Sequence, residues 1–548
     1  MVALPGREAP RIAFADAAAA RRLGFIHQGS PTAEKYLLET MGSGVAVFDA
    51  DNDGRLDVFF TNGAELSAPM PKGTGPAKDG VRFSNRLFHQ AADGRFEDVT
   101  ARAGLAGEGY GMGVAVGDYD NDGNDDLYVT AYGGNRLYRN QGDGTFADVT
   151  AAAGVAGSGW STSAAFVDVD EDGRLDLFVA RYLDWSFATN GYCGEPPPGP
   201  RAYCHPDRYP GATSLLFHNG GNGHFTEIGT RSGIADPGGK SLGVAIADFD
   251  KDGHIDIFVA NDSVREFLFH NKGGGIFEDI ALAGGAAFDQ DGRPFAGMGV
   301  AFDDQNNDGW PDLLVTTLSN QLYAFFRNER GERFTYATHP SGLADISRLW
   351  SGWGLAMVDA DNDGHRDLLV AQGHVLDTIE QTSPHLRYRQ PLLFARGEGE
   401  RFVDVSATAG EISGRPFAGR GLATGDLDGD GRVDAVVTTI DGPALLLLNT
   451  SERTGHWVGI RLRGIRSNRD GIGASVELTS ASGAKQYATV STTGSYLSAG
   501  DRTVHFGLGS ETAAAITIRW PGGSVQVVDR VLVDRVTIIT EAVSAPLR

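Results

Sequence analysis

Residues 49–57 read DADNDGRLD, with aspartates at the first, third, fifth and ninth positions and a glycine at the sixth. Six further stretches repeat this spacing, beginning at Asp118, Asp168, Asp248, Asp304, Asp359 and Asp426. We call these seven stretches the acidic loops. Their first, third, fifth and ninth positions hold 27 aspartates, with Asn306 as the one exception, and the other 44 acidic residues of this 548-residue chain nearly balance its 47 lysines and arginines. The net charge of −24 therefore arises almost entirely in the acidic loops.

The acidic loops have the donor pattern of calcium sites. Carboxylates a few ångströms apart repel each other unless a cation neutralises them. Ca²⁺ prefers oxygen ligands, and alternating aspartates followed by a turn glycine present such ligands at close spacing. We predict about seven structural Ca²⁺ ions, although acidic turns without metal are the alternative.

In each loop, side chains at positions one, three, five and nine and the backbone carbonyl at position seven are the expected ligands. These residues are Asp49, Asp51, Asp53, Arg55, Asp57, Asp118, Asp120, Asp122, Asn124, Asp126, Asp168, Asp170, Asp172, Arg174, Asp176, Asp248, Asp250, Asp252, His254, Asp256, Asp304, Asn306, Asp308, Trp310, Asp312, Asp359, Asp361, Asp363, His365, Asp367, Asp426, Asp428, Asp430, Arg432 and Asp434.

The sequence around the loops predicts strands. An EF-hand would need a glutamate at position twelve and flanking helices, but position twelve is Phe60 in the first loop and Val129 in the second. These positions lie in short apolar runs that are typical of strands. Four strands for each of seven loops predict an all-β fold, a seven-bladed β-propeller at residues 10–452. The last repeat lacks its fourth strand, and we expect residues 11–18 (RIAFADAA) to supply it and close the ring.

The C-terminal part predicts a second, small antiparallel β domain at residues 455–545, because its apolar and polar residues alternate. Its motifs SYLSAGD, HFGLG and WPGG resemble the ASPIC/UnbV domain. The repeats resemble the FG-GAP/VCBS repeats of integrin α-chain propellers, which implies an integrin α-like propeller with Ca²⁺ in each blade. Together the two parts resemble the CRTAC (cartilage acidic protein-like) family over nearly the whole chain.

The direction of successive strands places the acidic loops on one face of the propeller and three long insertions, at 64–84, 181–213 and 372–390, on the other. We call these the acidic-loop face and the insertion face. Long loops on a rigid scaffold often carry binding residues, so the metals are expected to be structural and to lie opposite the functional face. Candidate ligand-binding residues of the insertion face are Arg181, Tyr182, Asp184, Trp185, Tyr203, His205, Asp207, Arg208, His374, Trp353 and Arg420. The alternative is that these side chains only pack the insertions and the mouth of the channel.

The two cysteines of the chain, Cys193 and Cys204, lie within one insertion. In a secreted protein they would form a disulfide. A metal pair with His205 and two unpaired thiols remain as alternatives.

The acidic composition argues against a nucleic-acid partner, and no run of about 18 apolar residues predicts a membrane span. The first residues, MVALPGREAPRIAF, lack the apolar core of a signal peptide. Weak Ca²⁺ sites are filled outside the cytosol, so we expect a secreted or periplasmic protein whose leader has been removed.

The expected function is binding of a protein or glycan by a monomer through the insertion face. A lyase, hydrolase or natural-product cyclase on the same face is the alternative, since UnbV-like proteins are associated with bacterial natural-product gene clusters. The cartilage relatives also suggest an extracellular structural protein. No acid and base in the sequence have a spacing that requires catalysis, which favours a non-enzymatic protein without excluding an enzyme.

Overall fold

The computed structural model describes residues 12–78, 80–195, 199–452 and 455–542. Its fold is all-β, as predicted, and in the described residues each acidic loop joins the first and second strands of a four-stranded antiparallel sheet. We number these sheets 1 to 7 in the order of their acidic loops.

The strands of sheets 1 to 3 are, in chain order, Val45–Phe48, Asp57–Phe60, Arg86–Gln90 and Phe96–Asp98; Tyr110–Gly117, Asp126–Tyr132, Arg136–Asn140 and Phe146–Asp148; and Ser161–Val167, Asp176–Arg181, Leu215–Asn219 and Phe225–Glu227. Those of sheets 4 and 5 are Ser241–Ala247, Asp256–Val264, Phe267–Asn271 and Phe277–Asp279, with Phe295–Ala296 paired to the second, then Val300–Asp303, Asp312–Val315, Ala324–Asn328 and Phe334–Tyr336. Those of sheets 6 and 7 are Gly352–Val358, Asp367–Gln372, Leu393–Glu398 and Arg401–Asp404, then Gly419–Gly425, Asp434–Thr439 and Leu445–Asn449.

Short helices occupy connections between strands. The α-helices are Thr100–Ala103, Thr150–Ala153, Gly229–Ser232, Leu343–Ser347 and Ile379–Thr382, and the 3₁₀ helices are Leu37–Thr40, Phe187–Thr189, Pro206–Arg208 and Ser406–Thr408. A two-stranded ribbon pairs Cys193–Gly194 with Arg201–Ala202. No helix in the described ranges is long and apolar enough to cross a membrane.

Sheet 7 takes its fourth strand from the N-terminal part of the chain. Phe14–Asp16 pairs antiparallel with Leu445–Asn449, with Phe14 opposite Asn449. This strand lies inside the predicted span 11–18, of which Arg11 is outside the described residues, as are the predicted domain bounds at 10 and 545. The two ends of the repeat region are therefore joined within one sheet.

The first strands form the inner ring of the propeller. Each contacts the first strand of the next sheet, and that of sheet 7 contacts that of sheet 1. The approach is close: a Cβ added at Gly299 would lie 2.0 Å from the carbonyl oxygen of Trp353 in the next sheet. The glycines of these strands are needed because their neighbours leave no room for a side chain.

The tail, residues 455–542, contains two sheets. One orders Val504–Gly509, His456–Arg463 and Arg535–Thr540, and the other orders Lys485–Thr489, Ser475–Ser480, Ala514–Arg519 and Val525–Val531. Apolar side chains between the two sheets form a separate core that includes Ile460, Phe506 and Trp520.

One segment of the tail enters the central channel of the propeller. We call residues 491–502 the plug segment, and it hydrogen-bonds to the first strand of every one of sheets 1 to 7. Its partners in sheet order are Val45, Val114, Ser163, Val244, Val300, Leu355 and Leu422. Ser495 and Leu497 adopt positive φ angles of 74° and 56°, which side chains other than glycine seldom adopt. The plug segment thus ties the sheets together along the axis.

We expect replacement of Ser495 by alanine to destabilise the propeller. The Ser495 hydroxyl accepts a hydrogen bond from the Leu355 N–H (3.1 Å) and donates one to the Leu422 carbonyl (2.8 Å), which joins sheets 6 and 7. The variant leaves both backbone groups buried without this partner, and the free energy of unfolding should fall by about 1–3 kcal/mol in urea denaturation. Ser491→Ala is the control, because its hydroxyl bonds only within the plug segment, to Thr493. Equal losses in the two variants would contradict the bridging role.

Candidate functional site

Two aspartates of each acidic loop hold the loop in shape. At position one, the Asp49 carboxylate accepts hydrogen bonds from the N–H groups of Asp53 (3.1 Å) and Gly54 (2.8 Å). At position nine, the Asp57 carboxylate accepts from Gln90 (2.7 Å) on the third strand and from Ala50 (3.0 Å). The position-nine pattern recurs in all seven loops, at Asp57, Asp126, Asp176, Asp256, Asp312, Asp367 and Asp434. The ninth aspartate is thus a structural brace, and its remaining lone pairs are still able to bind a cation.

The oxygens of positions one, three and five converge. In the loops of sheets 1 and 2, one oxygen from each of these three aspartates lies within 4.8 Å of the others. In the acidic loops, buried carboxylate oxygens without a hydrogen-bond partner include Oδ1 of Asp51, Oδ1 of Asp170 and Oδ1 of Asp248. Clustered carboxylate oxygens, some without a donor, fit a hard divalent cation. The residues present therefore fit the Ca²⁺ predicted from the spacing.

The side chains at position seven have roles of their own. Arg55, Arg174 and Arg432 form ion pairs with the position-five carboxylates of their own loops. His254 pairs with Glu171 of the preceding loop, and the Asn124 amide donates to Asp122. These contacts leave the backbone carbonyl as the group that position seven offers to a cation.

Burial raises the pKa of several acidic-loop aspartates. Burial, followed by the charge of Asp470, raises the pKa of Asp118 to about 8. Burial and the charges of Asp363 and Asp361 raise the pKa of Asp359 to about 8. The pKa of Asp168 is raised to about 7 by the same two effects. A bound divalent cation would reverse these shifts by stabilising the ionised carboxylates.

The residue at position four links neighbouring loops. It has a positive φ of about 60° in six loops, and this turn directs the side chain toward the next sheet. The links from sheets 1 to 7 are Asn52 to Asn124, Asn121 to the Gly173 carbonyl, Glu171 to His254, Lys251 to the Trp310 ring, Asn307 to the Gly364 carbonyl and Asn362 to the Gly431 carbonyl. The seventh loop has Gly429 here, so no side chain extends from it to sheet 1.

Sequence reasoning missed three histidines that lie against the acidic loops. His89, His218 and His270 are on the third strands of sheets 1, 3 and 4, and each has a ring nitrogen within 3.5 Å of two loop carboxylates. Each directly precedes the residue whose N–H binds the ninth aspartate. The recurring pattern of histidine before asparagine or glutamine at the end of a third strand is the signal that could have found them.

The tail covers much of the acidic-loop face. The Arg469 N–H donates to Asn121 in the loop of sheet 2 (2.8 Å), and the Asp118 N–H donates to Asp470 (2.7 Å). In the loop of sheet 6, Asn362 bonds to His505 (2.6 Å). A cavity of about 490 Å³ remains between the tail and the inner strands of sheets 4 to 7. The tail therefore lies against the acidic-loop face, while acidic-loop residues such as Asp53, Asp122 and Asp252 remain exposed.

The structure separates the predicted ligand-binding residues into two groups. Six are buried: Tyr182, Trp185, Tyr203, His374, Trp353 and Arg420. Four are exposed, Asp184, His205, Asp207 and Arg208, while Arg181 is partly buried. The buried aromatic residues belong to one apolar cluster with Tyr36, Trp160 and the plug residue Tyr496. The six buried side chains therefore pack the insertions and the mouth of the channel, as the alternative interpretation expects. The four exposed side chains remain accessible to a ligand.

Trp353 and Arg420 fill the mouth of the channel. The Arg420 guanidinium lies 4.0 Å from the centre of the Trp353 ring and donates to the Thr40 carbonyl (2.7 Å). Burial lowers the pKa of Arg420 to about 10. Burial, followed by the nearby Arg420 charge, lowers the pKa of His374 to about 4. The channel mouth is thus occupied by packed side chains rather than by an open funnel.

Cys193 and Cys204 form a disulfide with an S–S distance of 2.02 Å. It closes the tip of the insertion of sheet 3. Arg201 in the same tip pairs with Glu34, and its guanidinium lies 5.3 Å from the centre of the Tyr192 ring. The insertion is therefore held at its tip as well as by the aromatic cluster at its base.

Comparisons with known proteins match both parts of the chain. An FG-GAP-like repeat model matches residues 77–129, 118–179, 209–259, 248–315 and 304–370. An ASPIC and UnbV model matches residues 464–546.

Cartilage acidic protein 1 of Xenopus tropicalis is 27% identical over 345 residues, which cover 60% of this chain and 48% of the relative. The human protein of that name is 25% identical over 306 residues, which cover 54% and 43%. The chain thus spans about half the length of the curated relatives it matches. Among solved structures, an Agrocybe aegerita lectin that recognises non-reducing terminal N-acetylglucosamine is 14% identical, with a TM-score of 0.40 over 74% of this chain and 87% of the lectin.

The acidic loops match the repeat model, the tail matches the ASPIC and UnbV model, and the curated relatives share the name cartilage acidic protein. FG-GAP-like repeats followed by an ASPIC and UnbV domain, together with the curated relatives, support a CRTAC-like family for this chain.

Proposed function

We propose that this chain is an extracytoplasmic Ca²⁺-binding β-propeller that binds a protein or glycan ligand through its insertion face. The observation that carries the proposal is the difference between the two faces. The tail contacts the acidic loops of sheets 2 and 6 on one face, whereas the opposite face presents exposed residues on an anchored insertion. A partner therefore has access to the insertion face.

The insertion of sheet 3 is suited to recognition because it is pre-organised. Its base packs Trp185 against Tyr36, Tyr132 and Phe187, and its tip is closed by the disulfide. The exposed Asp184, His205, Asp207 and Arg208 supply charges and hydrogen-bonding groups above this base. A rigid surface loses little conformational entropy when it binds, which favours affinity.

The proposed Ca²⁺ binding and the proposed location outside the cytoplasm are consistent with each other. Extracellular modules bind Ca²⁺ with Kd values of roughly 10⁻⁴–10⁻³ M, and such sites fill where Ca²⁺ is near 1 mM. The disulfide is of the kind that persists in oxidising compartments. We propose about seven Ca²⁺ ions with a structural role and a location outside the cytoplasm.

We expect Ca²⁺ to raise the stability of the protein. At 1 mM Ca²⁺ and a Kd near 0.1 mM, each site adds about 1.4 kcal/mol to the free energy of unfolding. Thermal melts with Ca²⁺ and with a chelator test this, and elemental analysis counts the bound ions. Asp51→Asn should weaken one site, while Asp93→Asn, in an exposed hairpin where Asp93 pairs with Arg95, should leave the ion count unchanged. Equal melting temperatures with and without Ca²⁺ would exclude a structural role for the metal.

The raised carboxylate pKa values predict that the stability of the ion-free protein falls as the pH rises and that Ca²⁺ binding releases protons. Without ions, the folded protein keeps protons on groups such as Asp118 and Asp359 up to about pH 8, whereas unfolded aspartates lose them near pH 4. The folded state then binds more protons than the unfolded state between these values, so its stability should fall as the pH rises through this range. Ca²⁺ binding requires ionised ligands and should release protons near pH 7. Calorimetric titrations in buffers of different ionisation enthalpy measure that release, and zero release would contradict the burial argument.

If the ligand binds to the insertion face, substitutions on that face should reduce ligand binding and substitutions on the acidic-loop face should not. We expect His205→Ala combined with Arg208→Ala to remove binding on a glycan array and a panel of purified extracellular matrix proteins. Both side chains are exposed, but the His205 ring accepts a hydrogen bond from the Asp207 N–H (3.3 Å), so the melting temperature should fall slightly while the fold is kept. Arg95→Ala, in the hairpin on the acidic-loop face, is the matched control and should retain binding. If both variants bind as the unmodified protein does, this part of the insertion face is not the ligand site.

A further inference from the structure

The acidic loops differ in the side chain that approaches them from the third strand. The residue before the N–H donor to the ninth aspartate is histidine in sheets 1, 3 and 4, arginine in sheets 2, 5 and 6, and leucine in sheet 7. In sheet order these residues are His89, Arg139, His218, His270, Arg327, Arg396 and Leu448. Only histidine among these types carries a nitrogen lone pair that is able to bind a metal.

The histidine nitrogens lie where a shared ion would need them. Nδ1 of His89 is 3.5 Å from an oxygen of Asp51 and 3.2 Å from one of Asp57. Nε2 of His270 is 3.1 Å from an oxygen of Asp250 and 3.3 Å from one of Asp252. Bonds of about 2.0–2.2 Å from Zn²⁺ to nitrogen and oxygen place neighbouring ligand atoms roughly 3.0–3.5 Å apart. The observed separations agree with ligands of one small ion.

The acidic loops of the same three sheets each contain a buried carboxylate oxygen that lacks a hydrogen-bond partner, namely Oδ1 of Asp51, Asp170 and Asp248. Nδ1 of His218 is 3.5 Å from the other oxygen of Asp170 and 3.1 Å from one of Asp176. A histidine nitrogen and an unpaired carboxylate oxygen therefore occur together in each of these loops. This combination is a mixed nitrogen and oxygen ligand set.

We propose that the loops of sheets 1, 3 and 4 bind a nitrogen-preferring divalent ion of the Zn²⁺ class, with His89, His218 and His270 as ligands. Imidazole shifts a site from Ca²⁺ toward Zn²⁺ and its neighbours in the first transition row, whereas all-oxygen sites favour Ca²⁺. Where Zn²⁺ is present it would replace Ca²⁺ at three of the seven proposed sites, and the other four loops would keep Ca²⁺. In sheets 2 and 5 the arginine is a counter-ion to Asp120 and Asp312. The inference rests on the proposal that the acidic loops bind divalent ions.

A competition titration of the full chain tests the proposal. Zn²⁺ is added in increments at 1 mM Ca²⁺, and bound Zn²⁺ and Ca²⁺ are counted by elemental analysis after gel filtration. We expect three equivalents of Zn²⁺ to bind. Each of H89R, H218R and H270R should lose one equivalent, and the triple variant should lose all three. Arginine is the matched replacement because it occupies the same strand position in sheets 2, 5 and 6.

His365→Arg is the control. His365 lies at position seven of the sheet 6 loop, where sheets 1, 3 and 7 have arginine, and this variant should still bind three equivalents. Co²⁺ provides a second measurement, because binding in a four-coordinate site of the kind Zn²⁺ prefers intensifies its visible absorption, and the arginine variants should lose this intensity. Zn²⁺ uptake that is absent at 1 mM Ca²⁺, or that is unchanged in the arginine variants, would overturn the proposal. The Ca²⁺ count in the same samples distinguishes failure of the Zn²⁺ proposal from failure of the Ca²⁺ proposal. If three Zn²⁺ ions bind but the other four loops hold no Ca²⁺, only the proposed structural role of Ca²⁺ is refuted.

Discussion

The burial of repeated carboxylates is the constraint on which the rest of the molecule depends. Each acidic loop is folded by its own aspartates, which accept backbone N–H groups of the loop and of the third strand. The same aspartates are brought close enough to repel one another, and burial raises their pKa values. The aspartates that shape each acidic loop also repel one another, so every acidic loop needs a nearby positive charge. Arginines, histidines and divalent ions are the groups able to supply that charge.

Much of this arrangement could be predicted from the sequence because it is local. The spacing of the aspartates specifies the loop, and the apolar runs that follow specify strands, so the propeller and the strand contributed by Phe14–Asp16 follow from pattern alone. The role of His89 could not be predicted in this way, since its partner Asp57 lies on a neighbouring strand and the contact depends on register. Composition likewise indicated the aromatic insertion but not that Tyr182 and Trp185 face inward.

The plug segment was missed for a different reason. The motif SYLSAGD has neither the two-residue period of a strand nor the turn chemistry of a hairpin, and its hydrogen bonds connect residues hundreds of positions apart in the chain. Its positive φ angles at Ser495 and Leu497 are stable only because the surrounding first strands hold the backbone. The tail, which the sequence predicts as a separate domain, therefore depends on the first strands of the propeller for the conformation of its plug segment.

Closure of the ring rests on two contacts, because the third and fourth strands of sheet 7 come from opposite ends of the repeat region and meet only through hydrogen bonds. Position-four side chains link the acidic loops in chain order from sheet 1 to sheet 7, and Gly429 ends this series. The N-terminal strand completes sheet 7, which fixes its outer edge. The plug segment binds sheet 7 through Thr424 and sheet 1 through Val45 and Val47, so it spans the remaining gap from inside. Closure of the ring thus depends on the N-terminal strand and on the tail, and loss of either contact should affect sheets 7 and 1 before the sheets that the position-four side chains link.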